Sequence, residues 1–279
     1  MSKHLPIRLE HNGHSHIKLS CNQHVLHFDP IKNIQPHDIV VLTWNWPEKI
    51  QMTIHAVQQN IPFTIIAHQT LIQHIQKKAG VEVNFFSKNW LQDTNGTHTN
   101  KQIHRFATIT QISYKENTTW PISEHFYRVF GFCKQPYKAT KQFYTKQKIP
   151  HTPPQITLVE LSDGKNLLHA NLCFHSELAF EHRLLIEKTL EQKKITKLDW
   201  MIVGCDYDPS NQNEQSIIEH VGILAKTYAC SAILITDLLN TSRQNWGFPT
   251  KLLTPLCDAI IERKHASFVF ASYSSFRFE

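Results

Sequence analysis

Short apolar runs separated by turn residues open the chain. Ile7 to Leu9 and Ile17 to Leu19 flank Asn12-Gly13, a dipeptide that accepts the positive φ of a tight hairpin, so two paired strands are expected there. Val25 to Phe28 predicts a third strand, ended by Asp29-Pro30. The run Asp38 to Thr43 (DIVVLT) is continuously apolar, as in strands buried on both faces, and it stops at Trp44. From Glu48 to Asn60 the apolar positions Ile50, Ile54 and Val57 recur at helical spacing. Ile61 to Ala67 reads as the next buried strand, and a second helix is expected from Gln69 to Lys78, closed by Gly80. The pattern is a hairpin sheet that passes into a βαβ unit.

Thr108 to Tyr114 alternates like a strand, whereas Trp120 to Pro154 is aromatic, lysine-rich and punctuated by proline, with no assignable element. The second half begins again with strands at Ile156 to Leu161 and Leu167 to Leu172, joined by the turn Asp163-Gly164. An amphipathic helix (Glu177 to Lys193), a strand (Trp200 to Val203), a helix (Glu214 to Tyr228) and a buried strand (Ala232 to Thr236) follow. Lys251 to Glu262 reads as helix and Phe268 to Ala271 as a final strand. Two halves, each running from strands to helices, predict two sheets packed face to face with helices outside. The expected fold class is therefore α/β, a four-layer αββα sandwich in one domain over residues 1–279, with an insertion at about 120–154.

Composition changes this picture little. Apolar residues make up 41% of the 279 and charged residues 19%, a globular balance that excludes long disorder. Cys21, Cys133, Cys173, Cys205, Cys230 and Cys257 form no CxxC pair, which argues against a zinc knuckle or a disulfide framework and fits a reducing compartment. Met1 to Glu10 has no apolar signal core and no run of about 18 apolar residues occurs, so a cytoplasmic protein with no membrane span is expected. The net charge of +6 is spread out. Its densest stretch, Lys134 to Lys148, sets Lys138, Lys141 and Lys146 among Tyr137, Phe143 and Tyr144, which reads either as a nucleic-acid contact or as a solvated connection. Of the 19 histidines, His55, His68 and His74 read as helix or strand surface, and the tight group His11, His14 and His16 as strand or turn residues.

Four stretches, in order along almost the whole chain, carry a resemblance. They are Gly13-His14-Ser15 with Val25 to Pro30; Ile39 to Lys49 (IVVLTWNWPEK); Asp163 to Cys173 (DGKNLLHANLC); and Leu198 to Gly204 with the following helix and Ala232 to Thr241. Together they resemble the metallo-β-lactamase superfamily, in particular its small cytosolic metal-dependent hydrolases related to sugar-lactone lactonases. The resemblance implies the αββα fold and a metal site that in the family uses Thr-His-x-His-x-Asp-His after the second stretch, His-Ala-Gly-Asp-Thr at the end of the third and a last His in the fourth. Here Thr43 is kept, but the ligand positions read Trp44, Trp46, Glu48 and Lys49, and the bridging Asp falls on Leu172 between Asn171 and Cys173. Ala232 to Thr241 holds no histidine, only Thr236 and Asp237 in that neighbourhood, and His104 and His125, the nearest to the mid-chain ligand, read as surface or structural.

An indole offers no lone pair, and an ammonium repels a divalent ion. The resemblance therefore implies a degenerate site at Asp29, Thr43, Trp44, Trp46, Glu48, Lys49, Leu172 and Asp237, with no catalytic residue, no zinc and no cofactor. Lys49 is expected to pair with Asp29 or Glu48 while Trp44 and Trp46 fill the emptied volume. The function expected first is binding, as a scaffold, partner subunit or regulator that takes a protein partner or a second copy of itself. The alternative is an unconventional metal-dependent hydrolase built on Asp29, Asp206, Asp208 and Asp237, with Cys205 or Cys173 as a nucleophile given a base; Asp208-Pro209-Ser210 reads equally as a helix cap. A third reading is nucleic-acid binding through Lys138, Lys141 and Lys146, and Trp120 to Tyr144 reads as a dimer surface or a lid.

Overall fold

The computed structural model describes residues 7–12, 16–21, 23–43, 47–81, 90–92, 98–103, 107–113, 149–150, 152, 155–172, 176–205, 214–236, 267–270 and 275–278. Strands β1 (Ile7–His11), β2 (Ile17–Cys21) and β3 (His24–Phe28) form an antiparallel meander, which β4 (Ile39–Val41) and β5 (Thr64–Ile66) extend in parallel. Alternation sets the faces: Ile7, Leu9, Ile17, Leu19 and Leu26 are buried, while Glu10 turns outward and bridges Arg8 at 2.8 Å and Lys18 at 3.6 Å. The parallel step from β4 to β5 needs a crossover, supplied by α1 (Pro47–Gln58), whose first residue is a proline with φ preset for a helix start. Helix α2 (Gln69–Ala79) starts where His68 Nδ1 accepts from the Thr70 N–H, and it ends at Gly80, whose φ of 75° lets its N–H reach the Gln76 carbonyl.

The second sheet contains β6 (Trp90–Gln92), β7 (His98–Ile103), β8 (Ala107–Ser113), β9 (Gln155–Leu161) and β10 (Asn166–Leu172), each antiparallel to the one before. Gly164, at φ 86°, makes the β9–β10 turn, and the Lys165 N–H donates to Asp163 Oδ1 at 3.1 Å. The strands β11 (Trp200–Cys205), β12 (Ala232–Thr236) and β13 (Ser267–Phe270) continue in parallel, with α3 (Ser176–Gln192) before β11 and α4 (Glu214–Thr227) before β12. The last described strand, β14 (Ser275–Phe278), crosses to the first sheet and pairs with β1, Ile7 opposite Phe278. The strand orders are β14-β1-β2-β3-β4-β5 and β13-β12-β11-β10-β9-β8-β7-β6.

Three apolar layers hold these elements together. Leu9, Leu19, Leu26 and Phe28 of the first sheet meet Ile109, Val159, Leu167 and Ile202 of the second. Val40, Leu42 and Ile65 pack outward against Ile50, Ile54, Leu71 and Ile72 of α1 and α2. On the other side Leu158, Leu168, Met201 and Ile233 pack against Ile186, Leu190, Val221 and Leu224 of α3 and α4. This is the αββα sandwich expected from the sequence.

The halves of the chain, however, are not the two sheets. Strands β6 to β8 from the first half join the second sheet, and β14 from the chain end closes the first. The strand expected from Ile61 is shorter, because the Ile61 N–H closes α1 on the Ala56 carbonyl (3.2 Å) and Pro62 offers no N–H. The expected helix at 251–262 and nearly all of the 120–154 region lie outside the described residues. No helix among the described residues is long and apolar enough to cross a membrane.

Candidate functional site

At the exit of β3 and β4 the two sheets are tied together by polar groups. Asp29 is fully buried with φ 46°, a left-handed conformation that aspartate adopts more readily than most residues. Its N–H donates to the Val41 carbonyl at 2.9 Å, and its carboxylate folds back over the end of β4. Oδ1 accepts from the Thr43 N–H at 2.9 Å, and Oδ2 accepts from the Thr43 hydroxyl. The Thr43 carbonyl in turn accepts from the Gln155 N–H at 2.8 Å, and the Leu42 carbonyl from Gln111 Nε2 at 3.3 Å, so β8 and β9 hold the end of β4 from the opposite sheet.

Removing the Asp29 carboxylate strands the N–H and hydroxyl of Thr43, each a loss of about 1.5–3 kcal/mol for a hydrogen bond to a charged group. Asp29→Ala is expected to lower stability by about 3–5 kcal/mol in urea titrations. Asp29→Asn keeps the left-handed preference and one acceptor and should lose about half as much. Equal losses in both variants would show that the two hydrogen bonds are not what Asp29 contributes.

Facing Asp29 across the interior is a polar row on the second sheet. Gln111 stands opposite Thr157 in the β8–β9 ladder and Thr157 opposite His169 in the β9–β10 ladder; all three are fully buried. The His169 ring stacks on Phe28, centroids 4.7 Å apart and planes at 12°. Burial pushes its imidazole down to about 4, with the Asp29 carboxylate opposing the shift and the Lys49 ammonium adding to it.

Lys49, in the first turn of α1, is only 2% exposed. Its charge also acts on His16, which burial pushes down to about 3, assisted by His27, Lys49, Lys32 and His11. His16 Nε2 lies 3.0 Å from His27 Nδ1, and His27 Nε2 lies 2.9 Å from Asp38 Oδ2, which also accepts from the Gln35 N–H at 2.7 Å. The carboxylate can only accept, so His27 Nε2 carries a proton. His16 Nδ1 is buried, with no hydrogen-bond partner among the described residues.

The structure thus gathers Asp29, Thr43 and Lys49 from the expected set and adds His16, Gln111, Thr157 and His169, which the sequence did not single out as a site. Thr43 supplies two hydrogen bonds to Asp29, one from its N–H and one from its hydroxyl; Glu48 is exposed. Leu172 and Cys205 end neighbouring parallel strands and stand opposite one another in the β10–β11 ladder. Trp44, Trp46, Cys173, Asp206, Asp208, Asp237, Lys138, Lys141 and Lys146 lie outside the described residues. His68 and His74 are half-buried rather than surface residues, while His55 is exposed as expected.

Among the described residues no group of three or more His, Cys, Asp or Glu side chains could hold a metal ion. The donor set accounts for this: both Asp29 oxygens face Thr43 donors, and a buried ammonium lies within electrostatic reach of His16 and His169. These residues do not fit the divalent ions that the family pattern implies.

Among solved structures, a variant of the CmlA β-hydroxylase matches 98% of this chain with a TM-score of 0.58 at 10% identity. A protein described as a Zn-dependent hydrolase of the metallo-β-lactamase superfamily, from Thermotoga maritima, matches 92% of this chain and 84% of its own (TM-score 0.40, 9% identity). A diphosphatase from the PhnP family matches 94% of this chain and 83% of its own (TM-score 0.41, 8% identity). The chain has the metallo-β-lactamase fold. It spans 54% of the length of the CmlA chain. No family model matches it, and no curated protein does. Identities this low carry the fold and not the reaction.

Proposed function

We propose that this metallo-β-lactamase-fold protein is a metal-free, non-hydrolytic member of the fold that works by binding, as a scaffold, partner subunit or regulator with a protein partner or a second copy of itself. The observation that supports it is the charge arrangement at the mouth of the sandwich. An ion at Asp29 would have to displace both Thr43 donors and sit near the buried ammonium of Lys49, two unfavourable effects at one place. Zinc, manganese and iron are expected to be far below stoichiometric in the full chain purified without chelators and measured by mass spectrometry. A full equivalent of any of them would overturn the reading. With metal absent, capture of a defined protein partner or a concentration-dependent dimer is the expected second result.

One backbone observation supports a second reading. Leu172, at the family's bridging position, and Cys205, which precedes Asp206 and Asp208 in the sequence, end side by side on neighbouring parallel strands. An unconventional hydrolase built there with Asp29 and Asp237 would show a bound hard ion in the same measurement.

A further inference from the structure

We propose that Gln111, Thr157 and His169 line a chamber between the sheets that binds a small uncharged molecule bearing both hydrogen-bond donors and acceptors. The inference deepens the metal-free binding reading and rests on it, since the guest is a molecule and not an ion.

The three residues occupy one row of the second sheet's inner face, Gln111 opposite Thr157 and Thr157 opposite His169, so their side chains are immediate neighbours. The next row toward the sheet centre, Ile109, Val159 and Leu167, belongs to the apolar core, so the polarity begins abruptly at this level. Phe28 covers the face of the His169 ring, and Asp29 and Thr43 lie beyond Phe28 at the ends of β3 and β4. Gln111 Oε1, Thr157 Oγ1 and both ring nitrogens of His169 are buried and have no hydrogen-bond partner among the described residues. Each such atom left dry costs about 1–3 kcal/mol, a large fraction of the roughly 5–15 kcal/mol that keeps a domain folded. Four together in one row call for a guest that satisfies them.

Their chemistry restricts that guest. Gln111 donates its amide to the Leu42 carbonyl, so its oxygen is left as an acceptor that disfavours an anion. A cation is disfavoured by Lys49, whose charge reaches His169, and the opposing Asp29 charge leaves no net charge to balance. A neutral imidazole offers one N–H and one lone pair, and the Thr157 hydroxyl serves in either direction. A primary amide or a hydroxylated molecule meets all of these needs; ordered water meets them too and is the rival occupant that the test distinguishes.

The test uses the full chain, nitrogen-labelled at histidine, titrated with acetamide and separately with glycerol. With at least one probe the His169 ring resonances are expected to shift saturably, to do so in Thr157→Ser, and to lose the response in Thr157→Val. Thr157→Val should also melt below the wild type. No saturable shift with either probe, with crystals grown in them showing ordered water only or an adventitious additive only, would overturn the proposal. So would a rise in melting temperature for Thr157→Val, the sign expected of a dry site relieved of a polar atom. Metal content measured on the same sample separates the two readings. Bound metal with a saturable shift removes the metal-free reading and leaves the chamber; no metal and no shift removes the chamber alone.

Discussion

Acidification from pH 6.5 toward 4 is expected to unfold the chain. Burial holds His169 down to about 4 and His16 and His182 down to about 3, against 6.5 for an ordinary imidazole. All three rings are neutral in the native state across this window, while the unfolded chain takes up a proton on each below pH 6.5. The stability associated with the neutral rings is therefore fully present above pH 6.5 and is lost as pH falls, completely for His169 near 4 and for the other two near 3. One proton of difference is worth about 1.4 kcal/mol per pH unit, so three approach about 4 kcal/mol per unit, enough to exhaust a typical stability within two or three units.

Urea midpoints between pH 7 and 4.5 would measure the slope. His182 provides an internal check, because it sits on α3 away from the mouth and burial drives its shift. His182→Leu should flatten the acid slope by about a third, one proton of the three. A midpoint that stays constant from pH 7 to 5 would show that these rings are charged or solvated in the folded protein.

The same histidines show what the sequence could and could not reveal. The strands β1 to β5 were legible because apolar positions alternate or run unbroken, and DIVVLT marked the strand that ends at the site. Strand β7 (HTNKQI) has almost no apolar residue, and β6 and β14 are too short for a period; β7 is defined by its ladder to β8, β6 by pairing with β7, and β14 by pairing with the distant β1. Asp29 and Thr43 were marked through the resemblance to the family's stretches, which their places at the strand ends carry. His169 could have been found by parity: in NLLHANL it shares the inward face with Leu167 of the core, where a polar residue is anomalous. Gln111 and Thr157 become neighbours of His169 only through two strand registers, and His16 meets His27 only because β2 and β3 pair with Lys18 opposite His27. Periodicity fixes the face a residue takes but not which residue of a distant strand stands opposite it, so those contacts lay beyond it.

Lys49→Ala is expected to lower the melting temperature by several degrees, whereas Lys77→Ala, at an exposed position of α2, should barely move it. Truncation removes three buried methylenes at about 0.8 kcal/mol each and leaves a cavity, and for a chain this long each kcal/mol corresponds to about 2–4 °C. Volume alone does not explain a lysine here, because a buried ammonium in the first turn of a helix meets both desolvation and the positive end of the helix dipole. Lys49→Met separates the two contributions: it refills the space and removes the charge. If the ammonium balances the buried Asp29 carboxylate across the mouth, methionine will restore only part of the loss. Because Lys49 helps to hold His16 and His169 below the ordinary range, both rings should then protonate at higher pH, visible in their ring proton shifts, and the loss of stability on acidification should become smaller. A methionine variant with wild-type stability and unchanged histidine titrations would reduce Lys49 to a filler. An alanine variant with the wild-type melting point would show that the side chain does not occupy the interior, and the charge argument against a metal at Asp29 would go with it.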